Sequence, residues 1–399
     1  MIAISKIRRQ GKIFILADNM LVVFGFFAVF PLISLHFIDQ LGWAASLVGM
    51  SLALRQFVQQ GLAIGAGSLA DRFGAKPLIV AGMLLRAAGF VVMAQAHTLW
   101  WLVISCLLSG LGGALFDPPR AALIAKFTRP AERNRFYALL ISLESACAVG
   151  GALAGGWLLR FDFAWVGWMG GMVFTLAALG NAVLIPNYRV SIRRSQLLHG
   201  IGQVLADRPF RNFVLTLSGY YLLGAQIMLL VPITLKQLSG TSEAVSWMYT
   251  LDTLLSLALL YPLARLGEKY ASLNTRISLG LALMTLSMLM LAFTHTLPLV
   301  FVLLALFYIG SIVAEPARET LIASQANPHH RATYMGFSKI GLALGGAAGH
   351  IGGGWLYDLG RIHGEPRLPW LVLACIGATT LLTLQWQFRR RSRLVPARA

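Results

Sequence analysis

Twelve long apolar runs, separated by short stretches where charge, proline or glycine gathers, divide this chain of 399 residues. They fall near 13–35, 45–66, 78–96, 98–116, 137–159 and 164–186, then near 212–235, 244–264, 276–294, 298–314, 333–357 and 369–388. About 20 apolar residues make a helix long enough to cross the hydrocarbon core of a bilayer. Within lipid the backbone must satisfy its own hydrogen bonds, so each run predicts a transmembrane helix. The expected fold class is all-α, a polytopic membrane protein of twelve transmembrane helices in two pseudo-symmetric six-helix bundles. The first run, Ile13 to Leu35, is too long for a secretory leader and no small-residue cleavage site follows it.

The two-bundle expectation rests on repetition. Gly112 to Ala125, GGALFDPPRAALIA, aligns with Gly310 to Ala323, GSIVAEPARETLIA, at a shift of 198 residues. The same shift carries Arg133 onto Arg331, Gly151 onto Gly349, and Gly155-Gly156-Trp157-Leu158 onto Gly353-Gly354-Trp355-Leu356. One ungapped shift of half the chain points to duplicated halves. The expected organisation is a first bundle at 1–186, a cytoplasmic linker at 187–210, a second bundle at 211–388 and a basic tail at 389–399. Within the linker, Leu197 to Leu205 has the makings of a short interfacial helix. Where spans four and ten reach their ends, Asp117 and Glu315 each stand three residues before an arginine, Arg120 and Arg318, a spacing at which acid and base can pair on one helix.

Composition agrees with the pattern and adds an orientation. Hydrophobic residues make up 57% and charged residues 12% of the chain, and mean hydropathy is +0.71, which excludes a water-soluble globule. Lysine and arginine number 33 against 15 acids, a net charge of +18. With both termini placed in the cytoplasm, 26 basic residues fall in cytoplasmic segments and four, Arg160, Lys236, Arg361 and Arg367, on the other side. That bias is the positive-inside signature. It accounts for the charge through topology and anionic headgroups, so membrane lipids are the expected partners and nucleic acid is not.

Charges inside the spans are the unusual ones, because each costs on the order of 3 kcal/mol near the bilayer centre unless paired or hydrated. They are Arg55, Arg86, Lys339, Asp18, Glu144 and Asp252. Some can sit near helix ends or form fixed ion pairs; Asp18, Arg55, Glu144 and Asp252 are the candidates for carrying protons or touching substrate. Tyr220, Tyr221, Met228, Trp247 and Tyr249 could line a surface for varied ligands. Cys106, Cys147 and Cys375 sit in apolar runs without metal-ligand spacing, and read as buried hydrophobes. No nucleophile with a base, metal cluster or phosphate-binding loop is present, so neither an enzyme nor a cofactor is expected.

The loop after span two reads Gly67-Ser-Leu-Ala-Asp71-Arg72-Phe-Gly74-Ala-Lys76. It resembles the G-x-L-x-D-R-x-G-x-K signature of the major facilitator superfamily, in which such a loop serves as a conformational latch. Span five, Cys147-Ala-Val-Gly-Gly151-Ala152-Leu-Ala-Gly155-Gly156, is similar to the G-x-x-x-G-P-x-x-G-G motif of that superfamily's drug/proton antiporters, with alanine at the proline and cysteine at the first glycine. A second departure is Cys106, where those antiporters carry an arginine four residues before the glycine that is Gly110 here; Arg55 or Arg86 could supply the cation instead. The resemblance covers nearly the whole chain. It implies proton-driven export of small amphipathic drugs by alternating access, from a monomer in a bacterial inner membrane. A proton-coupled exporter of a metabolite such as a sugar, and a non-transporting receptor, are the alternatives.

Overall fold

A computed structural model describes residues 2–128, 130–184, 202–325 and 331–394, and every regular element among them is helical. The first half comprises α1 (Ile2–Ser34, continued by a π-helical turn Leu35–Gln40), α2 (Ala45–Phe73), α3 (Ala75–Ala94), α4 (Leu99–Phe127), α5 (Pro130–Leu159) and α6 (Phe163–Leu184). The second comprises α7 (Arg208–Thr216), α8 (Ser218–Ala225), α9 (Leu230–Ser239), α10 (Glu243–Tyr270), α11 (Leu273–Leu291), α12 (Leu297–Gln325), α13 (Arg331–Ile362) and α14 (Leu368–Leu394). Ten stretches meet the length and hydropathy of a membrane crossing, with α7 to α9 acting as one. Helices α2 and α13, of 29 and 32 residues, are also long enough to cross. Residues 185–201, which hold most of the expected linker and the start of its interfacial helix, lie outside the described residues.

Two differences from the hydropathy pattern matter for the site. Span four was expected to end near 116, yet α4 runs on through Pro118 and Pro119 to Phe127. Its 29 residues rise about 43 Å at 1.5 Å each, beyond the roughly 30 Å of a hydrocarbon core. Hydropathy marks where the helix leaves the apolar layer, whereas its hydrogen bonds continue. Span seven was expected as one helix and is broken at Gln226–Leu229. There Gln226, fully buried, donates through Nε2 to the Leu222 and Gly349 carbonyls at 3.0 Å each, and Pro232 supplies no N–H to the preceding turn.

The chain forms two compact units. Unit 1 contains Met1–Trp43, Met50–Arg193 and Thr241–Tyr249; unit 2 contains Ala44–Gly49, Arg194–Gly240 and Thr250–Ala399. The repeat is visible in their packing. A Cβ on Gly82 of α3 would strike the Gly112 carbonyl of α4, and one on Gly280 of α11 the Gly310 carbonyl of α12, the same contact shifted by 198. Gly151 and Gly155 of α5 lie against the α1 backbone at Phe24 and Ala28; Gly349 and Gly353 of α13 lie against Leu222 and Gln226. Small residues let these helices approach at backbone distance, where dispersion and weak polar contacts act without a hydrophobic driving force.

Candidate functional site

Unit 1 holds a chain of polar side chains drawn from six of its helices, α1 to α6. On α1, Asp18 is 6% exposed and accepts a hydrogen bond at 2.5 Å from Asn181 of α6, which is wholly buried and also donates to the Ala177 carbonyl. The next residue, Asn19, donates to Glu144 Oε1 of α5 at 2.6 Å, and Arg120 of α4 reaches the same oxygen at 3.1 Å. On α2, Arg55 donates to Gln59 at 2.8 Å and to Gln56 at 3.3 Å. Gln59 in turn donates to Asp117 of α4 at 2.8 Å, and Arg86 of α3 stands 3.6 Å from the other Asp117 oxygen.

Aromatic faces take the charges that carboxylates do not fully meet. Arg55 lies 4.3 Å from the Phe30 ring centroid and 5.6 Å from that of Phe26, and the two rings stack on each other at 4.2 Å. Arg86 and Arg120 share Phe116, at 5.4 and 5.6 Å. Such contacts contribute about 0.5–2 kcal/mol each, more as water is excluded. Room for the guanidinium of Arg86 comes from a missing side chain. A Cβ on Gly113 would fall 2.6 Å from the Gln59 amide carbon and 2.7 Å from Arg86 Nη2.

The arrangement is electrically balanced: Asp18, Asp117 and Glu144 against Arg55, Arg86 and Arg120. Glu144 and Asp117 each have a guanidinium within 4 Å; the partner at hydrogen-bond distance from Asp18 is a neutral amide. A proton arriving at this acid therefore separates no contact ion pair. It also leaves the cluster one charge positive, a state that disfavours a second cation.

Of the four residues singled out in the sequence, Asp18, Arg55 and Glu144 belong to this network, while Asp252 belongs to unit 2, where it bonds Ser256 and lies near Glu315. Arg86, for which a fixed ion pair was one reading, is 6% exposed and faces Asp117. Lys339 is solvent- or lipid-exposed. The expected pair between Asp117 and Arg120 does not form among the described residues; each turns to a neighbouring helix. In the repeat, Arg318 does pair with Glu315 at 3.4 Å and with Glu319 at 2.9 Å, and it lies between Tyr220 and Tyr221 at 5.0 and 4.8 Å. Asn19, Gln59, Gly113 and Asn181 were missed. An amide inside an apolar run was the available signal for three of them, and Gly113 had none.

A family model described as Major Facilitator Superfamily matches residues 19–233 and, a second time, 213–398. The chain belongs to the major facilitator superfamily. It is 56% identical over 391 residues to a multidrug resistance protein MdtH of Aeromonas hydrophila and, to the same extent, to that of Yersinia pestis, with 98% of each chain covered. Among solved structures it is similar to the nucleoside transporter NupG (D323A mutant; TM-score 0.77, 14% identity, 96% of this chain and 100% of that one). It is also similar to a peptide transporter POT in complex with sulfate (0.78, 13%, 96% and 94%). At these identities the structures show the major facilitator fold. Of the superfamily's loop signature, the side chains of Gly67, Asp71 and Arg72 lie outside the described residues. Gly74 makes the one-residue turn from α2 to α3 at φ 93°, a left-handed conformation that glycine adopts freely, and Lys76 follows in the first turn of α3.

Proposed function

We propose that the chain is a secondary active transporter that exports small amphipathic drugs in exchange for protons, by alternating access, with no cofactor. Its relatives named for multidrug resistance, at 56% identity over 98% of the chain, support the substrate class. The observation that carries the coupling is the position of Asp18, the acid of a balanced six-charge cluster that, among the described residues, has no guanidinium at contact distance. One proton or one organic monocation can be accommodated against Asp18, and either leaves the cluster in the same charge state. That equivalence is the condition for exchange. Arg55, stacked on Phe30, holds the cation's place opposite; Glu144 tunes the cluster through Asn19 and Arg120; and Asp252 beside Glu315 is the candidate second acid.

In this reading Gly151 and Gly155 hold α1, and with it Asp18, at backbone distance from α5, and Gly156 gives the same helix a small surface further on. Gly67, Asp71, Arg72, Gly74 and Lys76 form the latch that the superfamily signature implies. The 26-to-4 distribution of basic residues supports a multi-pass protein of a bacterial inner membrane with both termini cytoplasmic, functioning as a monomer among anionic lipids. The test is exchange in liposomes under an imposed pH gradient. Wild type releases protons when an amphipathic cationic drug is added; Asp18→Asn binds the drug and releases none. Unchanged exchange in Asp18→Asn removes Asp18 from coupling, and failure of chemically varied drugs to elicit proton release in the wild type removes the drug reading.

A further inference from the structure

Four arginines are buried among the described residues, and three have partners that account for them. Arg55 meets Gln59 and the Phe30 ring, Arg86 meets Asp117, and Arg318 meets Glu315 and Glu319. The fourth is Arg276 of unit 2, 4% exposed, in the first turn of α11. Its Nε has no hydrogen-bond partner, and among the described residues no carboxylate lies within ion-pair reach of its guanidinium. A buried charge with nothing opposite it is strongly unfavourable, so the position selects for an anion from outside the chain.

The guanidinium is aimed at a helix start. Side chains of a helix lean toward its N-terminus, and Arg276 is the fourth residue of α11, so it reaches back over the first turn to the end of α10. There a Cβ on Gly267 would fall 2.7 Å from Arg276 Nε and 3.1 Å from Cζ, so the arginine takes this path only over glycine. The crook between the two helices is tight. The Ala271 N–H donates to the Gly267 carbonyl at 2.9 Å, and Ser272 caps α11, its hydroxyl accepting from the Thr275 N–H at 3.2 Å and its carbonyl from the Arg276 N–H at 3.0 Å. The N–H groups of Leu273 and Asn274 precede any acceptor within the helix, and the helix dipole adds to the charge of the guanidinium. None of this belongs to the repeated scaffold: shifted by 198, Gly267 answers to Leu69, Arg276 to Leu78, and Lys269 to Asp71 of the loop signature.

The depth of the crook points to the source of the anion. Arg276 opens the apolar run expected at 276–294, and Tyr270, 73% exposed, carries the Lys269 ammonium 4.9 Å from its ring centroid. An exposed tyrosine beside a lysine at a span end marks the headgroup layer. A guanidinium matches phosphate with two parallel hydrogen bonds. We propose that the crook between α10 and α11 binds the phosphate of an anionic phospholipid, held by the Arg276 guanidinium and the first N–H groups of α11, with Gly267 as the positioning residue. Its place in the cytoplasmic leaflet rests on the orientation proposed above; the site itself does not.

Thermal unfolding of the full chain in mixed micelles, with phosphatidylglycerol or phosphatidylcholine as the added lipid, tests the site. A ligand that binds only the folded state raises Tm with its concentration. Phosphatidylglycerol is expected to raise the wild-type Tm above that in phosphatidylcholine. Arg276→Met is expected to be at least as stable as wild type in phosphatidylcholine, because it removes an unpaired buried charge, and to lose the phosphatidylglycerol increment as affinity falls roughly tenfold or more with the charge-assisted bonds. Gly267→Ala keeps every charge, displaces the guanidinium and loses the increment too. Arg265→Gln combined with Lys269→Gln removes two exposed charges that lie about 200° around α10 from Gly267, and keeps it. The proposal is overturned if phosphatidylglycerol adds nothing in the wild type, if Arg276→Met or Gly267→Ala keeps the increment, or if Arg276→Met is already destabilised in phosphatidylcholine. Loss of the increment in the double variant overturns it in favour of diffuse attraction, and an equal increment from inorganic phosphate overturns it in favour of a soluble anion. No drug or pH gradient enters and a micelle has one headgroup surface, so failure here leaves the exchange reading standing, and failure of exchange leaves the lipid site standing.

Discussion

If the cluster in unit 1 is held together by charge balance, removing one member should harm it more than removing a matched pair. Glu144 and Arg120 give the cleanest comparison, because they share one oxygen contact at 3.1 Å and their side chains are 31% and 21% exposed. An unpaired charge at the bilayer centre costs about 2.5–3.5 kcal/mol on insertion scales; partial exposure and a place near the edge of the apolar layer bring this to roughly 2 kcal/mol here. Glu144→Gln leaves Arg120 unpaired and the cluster positive. Arg120→Gln leaves Glu144 with the Asn19 amide alone. Each single variant is therefore expected to lose about 2 kcal/mol. The double variant keeps two acids against two guanidiniums, and the glutamine at 144 still offers Asn19 an acceptor, so it should lose only about 1 kcal/mol. The interaction energy, the double loss less the two single losses, is then about −3 kcal/mol, far larger in magnitude than the few tenths found for independent sites. Equilibrium unfolding in mixed micelles at one fixed lipid and detergent ratio measures all three. A double variant that loses about 4 kcal/mol, the sum of its parts, refutes charge balance as the organising force.

Other tests reach different parts of the fold. Gly113→Ala is expected to leave the helices in place but push Arg86 and Gln59 off Asp117, lowering drug-driven proton release several-fold with little change in expression; unaltered exchange would show that the space over Gly113 is not used. Gly155→Ala, whose Cβ would overlap the Ala28 backbone, should destabilise by about 1–3 kcal/mol through overpacking. Gly150→Ala, which meets only Phe24 at 3.8 Å, should be neutral or slightly stabilising in a thermal unfolding scan. Arg55→Lys keeps the charge but cannot stack flat on Phe30 while bonding both Gln56 and Gln59; it is expected to retain partial exchange where Arg55→Gln retains none, and equal activities would mean that only bulk matters at that position.

Much of this was open to a reader of the sequence, and the reasons it was not complete are physical. Asp18, Arg55, Arg86 and Glu144 stood out because charge is rare in apolar runs, and the repeat stood out because glycine contacts such as Gly112 with Gly82 tolerate nothing larger. Asp117 and Arg120 were read as a pair on one helix at the end of span four, since hydropathy ended that span near 116, whereas the α4 backbone continues and turns each to a neighbouring helix. The amides Asn19, Gln59 and Asn181 barely disturb a hydropathy average, yet Asn19 and Asn181 bridge between helices at 2.6 and 2.5 Å and Gln59 joins Arg55 to Asp117 at 2.8 Å on each side. The break in span seven was hidden because Gln226 and Pro232 sit among residues as apolar as those of any intact span. Shifted by 198, Asp18 falls on Thr216, Arg55 on Thr253 and Glu144 on Leu342, so the repeat that reveals the scaffold says nothing of where its chemistry lies.

The balanced cluster also sets a schedule for biosynthesis. A ribosome delivers α1 to α3 with Asp18, Arg55 and Arg86 before it has made any of α4, so the nascent chain presents two guanidiniums to the membrane against one carboxylate. Asp117 then arrives on the same helix as Arg120, leaving the surplus positive charge unchanged, and only α5, with Glu144, cancels it. Five helices must therefore be held at the insertion machinery, or kept hydrated beside it, before the first of these charges can be released into lipid at low cost.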